Sequence, residues 1–166
     1  NADEVLSDDV LEKYKKAHES LDKPVIIVSE EEAKEAEKKK SSGKKTWKYR
    51  AENVRDFAFA SSRKFIWDAM AVKFKNHTSL AMSLYDKSGN PLWGRYSTKA
   101  VAHGMKVFSK FTFDYPYPKS ISVLASRGGG MEYPMMAFNG GLSEADGTYS
   151  KERKYSLIGV VIHEFG

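Results

Sequence analysis

The sequence predicts an α+β fold, a small sheet with helices against one face. Apolar residues alternate at a period of two from Phe65 to Leu84, and they recur near helical spacing over 92–110 and 151–166. Breakers rich in Gly, Pro, Asn and Ser separate these stretches. The chain has 166 residues, 41% hydrophobic and 30% charged, a globular rather than a disordered composition. No apolar run approaches the roughly 18 residues of a membrane-spanning helix. With no cysteine, disulfide scaffolds, thiol proteases and Cys-ligated metal centres are excluded.

In chain order, residues 8–21 predict a short helix with Val10, Leu11, Tyr14, Ala17, His18 and Leu21 on one side, ended by Pro24. Val25 to Val28 reads as a strand. Ser29 begins a capping box with Glu32, acids lead and lysines trail, so a surface helix is expected to run toward Lys40. Strands are expected from Thr46 to Tyr85, first where Trp47 and Tyr49, then Phe57 and Phe59, alternate. A central strand follows from Phe65 to Phe74, apolar on both faces. Lys75-Asn76-His77 predicts a turn, and Leu80, Met82 and Leu84 begin the return strand. Asp86 to Pro91 is a strong breaker before a helix over 92–110. A strand over 121–125, a glycine turn over 127–130 and a strand over 131–138 follow, with Pro134 arguing for a sheet edge. A polar loop then leads to a last helix, apolar all round and expected to be buried in the longer protein. Both ends, Asn1-Ala2 and an apolar helix stopping at Gly166, are expected to be cuts in a longer protein.

Charge is uneven: residues 1–40 carry a net −4 and the remainder +9. The basic residues are scattered rather than blocked, so no nucleic-acid partner is expected.

Two short segments carry chemistry. His163-Glu164-Phe165-Gly166 matches the first four positions of H-E-x-x-H, in which two histidines at i and i+4 hold one zinc and the Glu acts as general base. By itself the pair also suits a hydrogen-bonded core histidine. Tyr155, Gly159 and His163 share a helix face, and a His-Glu pair in an interior must be satisfied by a metal with water or by hydrogen bonds. The second segment is Gly129-Gly130-Met131-Glu132-Tyr133. An edge strand can pair with an extended peptide, and an acidic residue on it can hold the peptide's α-ammonium group. A tight turn with an exposed Glu is the plainer reading.

Together the segments resemble the G-x-M-E-N and zinc motifs of aminopeptidase N-type zinc metallopeptidases, gluzincins with a thermolysin-like catalytic domain. Ala51 to Ala58 resembles the last strand of that family's N-terminal β-domain, and Phe113-Asp114-Tyr115-Pro116-Tyr117-Pro118 the approach to its active-site sheet. The resemblance covers about residues 46–166. It implies the tail of a β-rich N-terminal domain over 1–60, with a charged linker or helix at about 29–45. Residues 61–166 would be the first part of the catalytic domain. It implies His163 as the first zinc ligand and Glu164 as general base. Glu132 would anchor the free N-terminus of a peptide substrate, and the Gly129, Gly130 and Met131 segment would lie along the substrate chain. Tyr133 stands where the motif has Asn. The second His, the Glu ligand and the family Tyr would lie past Gly166, so these 166 residues are expected to show neither turnover nor tight zinc. A non-catalytic peptide-binding relative is the rival reading, and an unrelated interaction domain a third. Exposed apolar surface would favour self-association.

The remaining signals are weak. Asn76-His77-Thr78 is an isolated sequon, the glycines near 128 lack a following Lys-Ser/Thr, and His18, His77 and His103 are not spaced as ligands.

Overall fold

The computed structural model describes residues 1–40, 43–125 and 129–166. Its centre is an antiparallel hairpin of two eight-residue strands, β2 (Ile66–Lys73) and β3 (Thr78–Tyr85), in register from Ile66↔Tyr85 to Lys73↔Thr78. The expected turn joins them, with the Phe74 amide donating to the His77 carbonyl at 2.9 Å. Strand β1 (Val25–Val28) lies antiparallel on the outer side of β2. From β3 the chain passes through a 3-10 turn (Lys87–Gly89) and the helix Leu92–Phe111, and returns as β4 (Lys119–Leu124), parallel to β3. The hairpin of β5 (Gly130–Tyr133) and β6 (Met136–Asn139) completes a six-stranded mixed sheet in the order β1-β2-β3-β4-β6-β5. The sheet thus draws strands from both sides of residue 60.

The helices are α1 (Ala2–Val5), α2 (Asp8–Ala17), α3 (Glu30–Lys38), α4 (Leu92–Phe111) and α5 (Lys151–Phe165). Helices cover both faces, not one. Residues 66, 70 and 72 of β2 face α4 and α5 in a core with Trp93, Val101, Met105, Leu157 and Val161. On the other face Ala69, Leu80 and Met82 pack with Ile27, Ala17, Tyr14 and Trp67. A strand apolar on both sides needs cover on both, and the apolar stripe of α2 provides the second layer. That helix ends at Ala17, four residues earlier than expected. There the chain bends to give the Ser20 carbonyl to the Ala71 amide (2.8 Å).

Two further expectations are corrected. Residues 43–64 hold no regular element among the described residues, and Trp47, Tyr49, Phe57 and Phe59 are exposed. Alternation alone does not make a strand without a neighbour to pair with; the Trp47 and Tyr49 rings stack on each other instead. The single strand expected over 131–138 is a hairpin, because Pro134 and Met135 form its corner and Met135 adopts φ 64°. In helix α5, Leu157 and Val161 are buried, whereas Tyr155, Gly159 and His163 form an exposed face.

Helix α3 begins as read. Ser29 Oγ accepts from the Glu32 amide at 3.2 Å and the Glu32 carboxylate accepts from the Ser29 amide at 2.7 Å. Buried Ala33 joins this helix to the core. Ser29→Ala is expected to lower the unfolding free energy by about 1 kcal/mol, seen as a lower urea midpoint, while Ser29→Thr retains most of it.

Candidate functional site

The two motif segments meet at one corner of the sheet. The start of α5 is fixed by Ser150, whose Oγ accepts from the Arg153 amide at 3.2 Å. Its last turn is held by Phe165, whose ring centroid lies 5.9 Å from that of Phe108 and 5.1 Å from that of Tyr115. Successive helical residues are turned by about 100°. With Phe165 on the core, Glu164 faces β5 and His163 points to solvent. The Glu164 side chain lies directly over Gly130: a Cβ built there would stand 2.3 Å from Glu164 Cγ and Oε1. A glycine at 130 therefore gives the carboxyl group its bed.

Glu132 belongs to the same side. Side chains alternate along a strand, so residues 130 and 132 share a face about 7 Å apart, and that face carries Glu164. Met131 projects to the opposite face and is exposed. Tyr133, in the position of the motif's Asn, packs edge-on against Phe138 of β6 with ring centroids 5.9 Å apart.

The backbone of β5 has a free edge. The Gly140 amide donates to the Gly129 carbonyl at 2.8 Å, and pairing continues as Gly130↔Asn139, Met131↔Phe138, Glu132↔Ala137 and Tyr133↔Met136. In an antiparallel ladder bonded and non-bonded pairs alternate. Residues 129, 131 and 133 therefore bond β6, while the N–H and C=O groups of Gly130 and Glu132 point outward, where β5 has no strand neighbour among the described residues. Gly129 enters this strand at φ 77°, a conformation that favours glycine. The rest of the expected glycine turn, residues 127–128, lies outside the described residues.

The structure thus brings together Gly130, Glu132 and Glu164, and leaves His163 on the exposed side of the helix end. Among the described residues no group of three or more His, Cys, Asp or Glu could hold a metal ion. No described helix is long and apolar enough to cross a membrane. A separate cleft of about 1090 Å³ opens between β1, the start of α3 and the N-terminal turns of α4. None of the motif residues lines it.

Sequence reading missed a buried polar row under α4. Asp68 pairs in register with Ser83, and Ser83 with Ser122, so three adjacent strands present polar side chains side by side. Asp68, Ser83, Ser97, Thr98, Ser122 and Asn139 are all at most 2% exposed. Tyr85 Oη donates to Asp68 Oδ2 at 2.9 Å and the Thr98 hydroxyl donates to Oδ1. Burial pushes the Asp68 carboxyl up to about 6, opposed by these hydroxyls and by Lys99; the same burial raises the Tyr85 phenol. An Asp inside an apolar strand was the one visible signal in the sequence.

Fold and site define an α+β protein with a mixed sheet, whose free edge strand carries an acidic residue beside a helix-borne Glu. No protein-family model matches the chain and no curated protein matches it.

Proposed function

We propose that this chain is the substrate-binding part of a zinc aminopeptidase and binds an extended peptide by its free N-terminus along β5. One observation carries the reading. Glu164 lies over Gly130 of the edge strand, on the face shared with Glu132, although 34 positions separate residues 130 and 164 in sequence.

The peptide backbone would pair with the outward N–H and C=O groups of Gly130 and Glu132, as an added strand. The Glu132 carboxylate would then accept hydrogen bonds from the α-ammonium group and stop the peptide at its first residue. Such a charge-assisted contact contributes about 1.5–3 kcal/mol. Glu164, beside that peptide, is the group suited to hold a proton from an attacking water. A catalytic zinc takes three protein ligands, and among the described residues His163 has no such companions. The described residues therefore do not make a zinc site by themselves. The missing ligands would come from chain beyond residue 166.

The test has two halves. Titration with a short peptide should show binding that weakens about 10- to 100-fold on N-acetylation of the peptide or on Glu132→Gln. Equal affinity for the free and acetylated peptides would refute the anchoring role. The coding frame past residue 166 should supply a His next and a Glu about eighteen positions later. Failure there, with peptide binding intact, would leave the non-catalytic relative as the reading.

A further inference from the structure

We propose that Asp68, Thr98, Ser83, Ser97, Ser122 and Asn139 form a reversible hydroxyl relay, in which the protonation state of Asp68 sets the direction of every O–H in the row and the orientation of the Asn139 amide. This goes beyond peptide binding and stands without it.

The heavy atoms form one unbroken path. Thr98 Oγ1 bonds Asp68 Oδ1 and lies 2.7 Å from Ser83 Oγ. Ser83 Oγ is 2.8 Å from Ser97 Oγ, which is 3.1 Å from Ser122 Oγ. Asn139 Nδ2 donates to Ser122 Oγ at 2.9 Å, and Asn139 Oδ1, fully buried, has no partner among the described residues. Each hydroxyl has one hydrogen to give. An ionised Asp68 only accepts, so Thr98 must donate to it and accept from Ser83. By the same logic Ser97 donates to Ser83, Ser122 donates to Ser97, and Ser122 is left to accept from the Asn139 amide N–H. All the dipoles then point at the buried charge, which stabilises it in a low-dielectric interior.

Protonating Asp68 on Oδ1 inverts this order. The carboxylic O–H now donates to Thr98, Thr98 to Ser83, Ser83 to Ser97 and Ser97 to Ser122. Ser122 must then find an acceptor, and a half-turn of the Asn139 amide presents Oδ1 to it. The proton comes from solvent in the cleft that Asp68 lines; the hydroxyls only rotate, and no other covalent bond changes. Protonation at Oδ2 is disfavoured, because Tyr85 would have to give up its bond there and find another acceptor.

The charged groups around Asp68 bias the switch without touching the row. Lys23 before β1, Lys87 in the 3-10 turn, and Arg95 and Lys99 on α4 line the same cleft and favour the ionised form. Glu30 and Glu31 of α3, with Glu144 and Asp146 of the neighbouring loop, line it too and favour the protonated form. The far end of the relay, Asn139, is the register partner of Gly130.

The experiment follows the Asp68 carboxyl carbon and the Asn139 side-chain amide by NMR between pH 4 and 8. The Asn139 signals should titrate with the Asp68 midpoint. Ser97→Ala cuts the path without touching either end. It should leave the Asp68 midpoint within about half a pH unit while the Asn139 response disappears. Asp68→Asn should give Asn139 signals that do not depend on pH, which keeps the test available if the serine variant does not fold. The relay is refuted if Asn139 is insensitive to pH in the unmodified protein, or if it still follows Asp68 in Ser97→Ala.

Discussion

Trp93→Ala is expected to lower the unfolding free energy by about 3–5 kcal/mol, the range for removing a large aromatic side chain from a packed core. Trp93 is wholly buried at the start of α4, where that helix meets the sheet. Its Nε1 donates to the Gly141 carbonyl at 2.6 Å, tying the loop before α5 to α4. Its ring lies 5.8 Å from that of Tyr85 and covers Gly89, where a Cβ would stand only 2.9 Å from the indole. Alanine would leave a cavity and take from the half-buried Gly141 carbonyl its indole donor at once. Trp93→Phe keeps most of the volume and loses the hydrogen bond, so it should cost much less. Urea titrations of both variants provide the check, and an unchanged midpoint for Trp93→Ala would contradict this packing.

The second large effect depends on pH. The folded-state pKa of Asp68 is raised from 3.8 to about 6. The folded protein therefore holds this proton more tightly than the unfolded chain does. The associated stability is fully present below pH 3.8 and is lost as pH rises to about 6. At 1.36 kcal/mol per pKa unit, about 3 kcal/mol disappears across that interval. Glu30 and Glu32, lowered chiefly by hydrogen bonds from Lys34 and Lys13, act with the opposite sign and lose their contribution as pH falls below the ordinary carboxylate range. The comparison with Asp68→Asn separates the two. Between pH 4 and 6.5 the native protein should lose stability relative to that variant, and parallel curves would show that the carboxyl is not carrying the linkage.

Local signals explain which parts of the fold could be read in advance. The β2–β3 hairpin was legible because both faces of residues 66–74 are apolar and the turn at 75–77 is polar. Helix α4 was legible because the breaker ending at Pro91 precedes a clean helical spacing, and α3 because Ser29 and Glu32 form a box within four residues. The failures are non-local. Trp47, Tyr49, Phe57 and Phe59 alternate like strand residues, but the strand that would have to pair with them is absent among the described residues. The corner at Pro134-Met135 was hidden because methionine does not advertise a positive φ. At the candidate site, the motifs drew attention to Glu132 and Glu164, whereas their common side of β5 comes from the packing of Phe165 and the pairing with β6. The polar row was least legible of all. Serines and threonines are unremarkable one by one, and only the register Asp68↔Ser83↔Ser122 lines them up.

The alternation along β5 has a consequence for amide hydrogen exchange. Among the described residues the N–H groups of Gly130 and Glu132 face the outer edge of β5 without a ladder bond, while those of Met131 and Tyr133 are bonded to β6. The outward pair should exchange with solvent at rates near those of an open chain even when every molecule is folded, because no opening event has to come first. A peptide laid along this edge would slow those two amides and leave their inward neighbours almost as before. Occupancy of the strand can therefore be followed residue by residue, separately from any change in the stability of the fold.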